Sequence, residues 1–207
     1  EIIKSIIVNG NERISNETIL MFADVEIGDN LTAEKINNIL KNIYESEFFK
    51  NVSIDFDKNI LNIGVVELPI IQNITYEGIK ANRIKDRVFK DLKLKSRSSY
   101  NEVYLKDDLD KIKNSLKELG YYFSKVDVSV IQLEDNKIDL IYSVDLGNKS
   151  KIKKITFLGN KVFKDRKLKR LITSEEYKFW KFISGKKYLN ESLISFDERL
   201  LKNFYLN

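Results

Sequence analysis

The chain has 207 residues, a formal net charge of +5, 43% hydrophobic and 32% charged residues, and neither histidine nor cysteine. Those absences exclude Ser-His-Asp and Cys-His nucleophiles, zinc sites built on either residue, iron–sulfur ligation and disulfides. No apolar run approaches the ~20 residues that a membrane-spanning helix needs.

Near the start of the chain, IKSIIVNGN (residues 3–11) predicts a strand that ends in a turn at Gly10. A short helix follows over 15–23, with Ser15 as cap, Glu17 in the first turn, and Ile19, Leu20 and Ala23 at helical spacing. Thr32 caps a longer helix whose Ile36, Ile39, Leu40 and Ile43 make one apolar face. Val52, Ile54 and Phe56 then alternate with polar residues. Asp57-Lys58-Asn59 supplies a turn, and an apolar run from Ile60 to Leu68 ends at Pro69. The order is β-α-α-β-β.

The same order begins again at IQNITYEGI. A short helix carries Ile84, Val88 and Leu92, and a long one carries Leu105, Leu109, Ile112, Leu116 and Leu119, ending at Gly120. Val126, Val128 and Val130 alternate with polar residues, Glu134 to Lys137 turn, and Ile138, Leu140, Tyr142, Val144 and Leu146 alternate again. IKKITFLGN opens a third copy, with Leu168, Leu171 and Ile172 on its first helix and Leu189, Leu193, Phe196, Leu200 and Phe204 on its second. The three openings align at Ile3, Ile71 and Ile152, at Ile6, Ile74 and Ile155, and at Gly10, Gly78 and Gly159. The expected fold class is α+β: tandem β-α-α-β-β modules at 1–69, 70–148 and 149–207, each a three-stranded mixed sheet covered by two helices. The spacing of the first two copies puts the third copy's next strand near position 210, so its last two strands, and the chain that carries them, are expected to lie beyond Asn207.

Charge is unevenly spread. Residues 1–69 carry 6 basic and 12 acidic side chains, residues 70–148 carry 14 and 13, and residues 149–207 carry 16 and 6. A basic third module suits nucleic acid, anionic lipid or an acidic protein, or is a set of solvated lysines. A KH-type nucleic-acid module shares the element order but needs a GXXG loop between its helices. EIGDN, KLKSRSS and ISGKKYLN contain none. Gly185-Lys186 lacks the upstream glycine of a phosphate-binding loop. Carboxylate pairs such as Asp107 with Asp108 and Asp55 with Asp57 are the remaining catalytic option, and they read as solvated surface acids.

The I-x-x-I-x-φ-x-G opening, the two helices, and an aromatic leading into a Val-rich hairpin in SEFFKNVSIDF and LGYYFSKVDVSV together resemble the POTRA family. In the third copy, Trp180 and the D-x-x-x-L-x-x-F-Y pattern over Asp197–Tyr205 resemble the POTRA arrays of outer-membrane assembly factors. The resemblance implies a scaffold without catalytic, cofactor-binding or metal-ligating residues, on the periplasmic face of a Gram-negative outer membrane. It implies as partners unfolded outer-membrane β-barrel proteins, accessory lipoproteins of the assembly complex, periplasmic chaperones, and a C-terminal membrane barrel outside this sequence, with no nucleic acid. POTRA arrays of two-partner secretion and translocation-assembly transporters are the alternative. A sheet edge has unpaired N–H and C=O groups that template another strand. In the family that edge is largely the second strand, which maps to Asn51, Val52, Ser53, Ile54 and Asp55, and to Lys125, Val126, Asp127, Val128, Ser129 and Val130.

Overall fold

The computed structural model describes residues 1–180 and 185–206; Ile183 and Ser184 of the third inter-helix segment lie outside them. Contacts between Cα atoms divide the chain into two compact units. One comprises Glu1–Asn73, Leu94–Glu102 and Ile131–Asp139, the other Ile74–Lys93, Val103–Val130 and Leu140–Asn207. Among the described residues, no helix is long and apolar enough to cross a membrane.

β1 (Ser5–Asn9) leads to α1 (Asn16–Ala23), α2 (Ala33–Glu45), β2 (Phe49–Asp57) and β3 (Ile60–Glu67). Both expected caps form: Ser15 Oγ accepts the Thr18 N–H at 3.2 Å, and Thr32 Oγ1 the Lys35 N–H at 3.1 Å. Ile39 and Ile43 of α2 are fully buried in one apolar cluster with Ile3, Ile19, Val52, Leu61 and Ile63. The sheet runs β1-β3-β2, with β1 parallel and β2 antiparallel to β3, so it is mixed.

β4 (Ile70–Glu77), α3 (Asn82–Val88), α4 (Glu102–Glu118), β5 (Lys125–Leu133) and β6 (Lys137–Asp145) repeat the order, and the second sheet runs β4-β6-β5. Ile138, Leu140, Tyr142 and Val144 of β6 are buried in alternation, as their spacing predicts.

A backbone clip recurs in all three copies. The N–H groups of Ile3, Ile71 and Ile152 donate to the carbonyls of Asp29, Ser98 and Lys187 at 3.0, 3.0 and 2.9 Å. Their carbonyls accept from Gly28, Arg97 and Tyr177. Two residues earlier, the carbonyls of Glu1, Pro69 and Ser150 accept from Leu31, Tyr100 and Leu189. The segment before each long helix is thus tied to the start of the opening strand, and the aligned isoleucines mark the tie. In the third copy the two tied residues, Tyr177 and Lys187, are ten positions apart in sequence, where their counterparts in the first two copies are adjacent.

The recurring glycine follows from how closely the opening strand's end approaches the last strand. Gly10 and Gly78 have φ of +85° and +86°, and a Cβ on either would lie 2.2 Å from the Val65 carbonyl oxygen or 1.8 Å from that of Val144. Gly159 keeps the φ, at +77°, but an added Cβ meets nothing within 4 Å.

That open space reflects the third copy's composition. It supplies α5 (Asp165–Leu171) and α6 (Glu191–Leu206) but, among the described residues, no counterpart of β3. Residues 152–157, expected as its opening strand, form no ladder with any described residue; the preceding Lys151 makes a single bridge with Tyr188. Leu168 is buried, whereas Leu158 is 94% exposed. Phe196, expected on the inward face of α6, is 42% exposed, because Asp197 takes the inward position beside it. Amides that lack a ladder exchange through small fluctuations. Those of Thr156, Phe157 and Leu158 are therefore expected to exchange on the order of a hundredfold faster than those of Leu140, Tyr142 and Val144, as read by hydrogen-exchange NMR. Equal protection in the two segments would contradict this account of the third copy.

Candidate functional site

Each sheet order puts the candidate strand at a margin: β2 pairs with β3 on one side, and β5 lies beyond β6. The direction of the backbone groups along β2 follows from the hairpin turn. Lys58 and Asn59 have φ of 49° and 66°, a two-residue turn with left-handed conformation at both positions. In such a hairpin the flanking pair, Asp57 with Ile60, exchanges both ladder bonds, and bonded and non-bonded pairs then alternate. Asp55 with Asn62 and Ser53 with Gly64 are therefore bonded pairs. Phe56, Ile54 and Val52 turn their N–H and C=O groups away from β3, toward the open margin.

The candidate residues thus fall into two sets. Asn51, Ser53 and Asp55 have exposed side chains, yet Ser53 and Asp55 spend their backbone groups on β3. Val52 and Ile54 pack their side chains into the core, yet their backbone groups face outward. The ladder also slips between Phe49 and Asn51, a bulge at the margin. Beside it, the hydroxyl of Tyr44 on α2 accepts the Val52 N–H at 3.1 Å and donates to Asn51 Oδ1 at 3.3 Å. On β5, Lys125, Asp127, Ser129 and Val130 are exposed and Val126 and Val128 half-buried. The alternation expected to continue at Val130 breaks there, and Ile131 and Leu133 are exposed as well.

Three acids are built into the fold. Glu67, buried at the end of β3, accepts the N–H groups of Glu12, Arg13 and Ile14 on one oxygen at 2.8, 2.9 and 3.0 Å, and Arg13 Nη2 stands 3.0 Å from the other. Burial alone would raise its pKa. The three N–H donors and the guanidinium outweigh burial and hold the carboxyl below its ordinary value. Asp108, expected as a solvated surface acid, is 1% exposed and accepts the Lys93 N–H at 2.7 Å, while exposed Asp107 pairs with Lys93 Nζ. Asp197 accepts the N–H groups of Thr173 and Ser174. In the second and third copies, then, an acid on the long helix holds the segment after the short one. Helical spacing carried that signal, since Asp108 stands four residues before Ile112 and Asp197 four before Leu201. Asp55 and Asp57 are exposed, as expected. Among the described residues, no group of three or more acids could hold a metal ion.

The basic third copy is not simply solvated. Lys187 is buried, Lys149 Nζ lies about 5 Å over the rings of Tyr121 (5.1 Å) and Tyr188 (5.0 Å), and Lys151 Nζ lies 4.1 Å over Tyr177. Burial, and after it the charge of Arg83, lowers the pKa of Lys149.

A family model described as POTRA, surface antigen variable number repeat, matches residues 1–68, 69–147 and 150–207. The chain belongs to the POTRA family. Two curated proteins called outer membrane protein assembly factor BamA are similar to this POTRA chain. The one from Neorickettsia risticii is 27% identical over 96% of the chain and 27% of its own length. The one from Neisseria meningitidis serogroup B is 27% identical over 99% of the chain and 26% of its own length. The POTRA chain thus spans about a quarter of these relatives. A solved structure of POTRA domains 3–5 of BamA from Haemophilus influenzae aligns with 98% of this chain and 85% of its own, at 17% identity and a TM-score of 0.46.

Proposed function

We infer that this chain is the periplasmic POTRA array of an outer-membrane protein assembly factor, divided into modules at 1–69, 70–148 and 149–207. The observation that carries the reading is the alignment of the whole chain, at the same level of identity, with two relatives bearing that name. The name also supports it over a two-partner secretion or translocation-assembly transporter. In this reading the array receives unfolded β-barrel proteins by strand addition at β2 and β5 and docks accessory lipoproteins, with periplasmic chaperones as further partners. A barrel strand alternates apolar and polar residues without a fixed sequence. A receptor for many such strands must therefore read backbone rather than side chain, as a sheet margin does.

The test uses the direction of the backbone groups. Proline at Ile54 removes a donor that faces the margin, whereas proline at Ser53 removes one that holds β2 to β3. Ile54→Pro is expected to keep the fold at a cost of about 1–2 kcal/mol for the lost half-buried side chain. It is also expected to weaken binding of a peptide taken from a barrel strand at least ~10-fold. Ser53→Ala leaves binding unchanged. NMR shift perturbation reads both, with thermal melting as the check on folding. If the peptide perturbs only residues around Lys151, Lys153, Lys154 and Lys169, and the shifts vanish with salt, the contact is electrostatic and strand addition is wrong.

A further inference from the structure

The margin of β2 is not uniformly open. Three residues turn backbone groups outward, and at Val52 the N–H is already taken by Tyr44 Oη at 3.1 Å. A hydroxyl has one donor and two acceptor sites, so the same oxygen also donates to Asn51 Oδ1, which fixes its orientation. Tyr44 stands at the end of α2, 44% exposed, and the bulge between Phe49 and Asn51 interrupts the ladder at the same level. Aligning the buried Ile43 with Leu116 places Lys117 at the equivalent position of the second copy, a side chain with no hydroxyl to offer.

We propose that Tyr44 is a specificity-determining residue for strand addition at β2: its hydroxyl occupies the donor that an incoming strand needs at Val52. Such a strand pairs with Ile54 and Phe56 and stops short of Val52. The register of the added strand is then set by one side chain of the receptor, and the second copy lacks this restriction. The proposal rests on the strand-accepting reading of β2.

Tyr44→Phe keeps the ring and removes the hydroxyl. Two measurements on the whole chain separate the latch from the reading beneath it. Without any ligand, hydrogen exchange at the Val52 amide is expected to rise about tenfold, the loss of one hydrogen bond, while Ile54 stays unchanged. With a nine-residue peptide of alternating valine and threonine, shift perturbation in the parent is expected at Ile54 and Phe56. In the variant it extends to Val52, with affinity roughly threefold to tenfold tighter. Unchanged exchange at Val52 overturns the proposal. So does a footprint at Ile54 and Phe56 that is the same in both proteins, and that result leaves strand addition standing. A peptide that perturbs neither residue in either protein overturns the strand-accepting reading and this proposal with it.

Discussion

Gly78→Ala is expected to lower the melting temperature of the chain's second copy by more than ~10 °C, a loss of roughly 3 kcal/mol, while Gly159→Ala costs about 1 kcal/mol or less. Both glycines follow an opening strand with φ near +80° (+86° and +77°), so both substitutions carry the strain of a left-handed alanine. What separates them is the neighbour. An alanine Cβ at 78 would lie 1.8 Å from the Val144 carbonyl oxygen, a backbone atom in the middle of the sheet, and relief requires β4 to part from β6. At 159 the Cβ has open space. Circular-dichroism melts of the two variants decide the matter. Equal, small effects would mean that the close approach at Gly78 is not held in solution.

Removing the Glu67 carboxylate is the other large perturbation. Glu67→Ala leaves three backbone N–H groups and the Arg13 guanidinium without their acceptor in a half-buried turn, and breaking a buried pair in this way costs about 3–5 kcal/mol. Glu67→Gln keeps one acceptor oxygen for the N–H groups and loses less. It also removes the titration. The folded pKa of Glu67 lies below its ordinary value, so the stabilisation is complete above the unfolded value of about 4.3 and disappears as pH falls through the folded one. The stability gap between parent and Glu67→Gln, measured by urea titration, is therefore expected to be constant above about pH 5 and to shrink steadily as pH falls below the unfolded value of about 4.3. A gap that persists unchanged to pH 3 would show that the nest does not lower the carboxyl's pKa.

Much of the fold is legible in the sequence because it is written in side-chain polarity. Ser15 and Thr32 cap, Ile39 and Ile43 face inward, and the three aligned isoleucines and glycines announce the repeat. What escapes is whatever depends on backbone direction or on a polar group facing inward. Asp108 reads as a surface acid because carboxylates usually are, although its spacing to Ile112 places it on the buried stripe. Ser53 reads as the outward member of β2 because its side chain is exposed. Its amide nevertheless points the other way, and only the two-residue turn at Lys58-Asn59, counted back pair by pair, reveals that. The Tyr44 contact has no signature in spacing at all, since it joins the end of a helix to a strand through a flexible ring.

The parallel pairing of β1 with β3 also dictates an order of events as the chain is made. Ser5 pairs with Ile60, so a chain that emerges N-terminus first carries an unsatisfied opening strand until 55 further residues have appeared. The tie between Ile3 and Asp29 needs only 26. Closing the shorter loop costs less entropy, and it brings α1 and α2 together before any sheet exists. By loop entropy the clipped helical pair of the first copy closes at lower cost than its sheet, and the hairpin arrives as the element that completes the module.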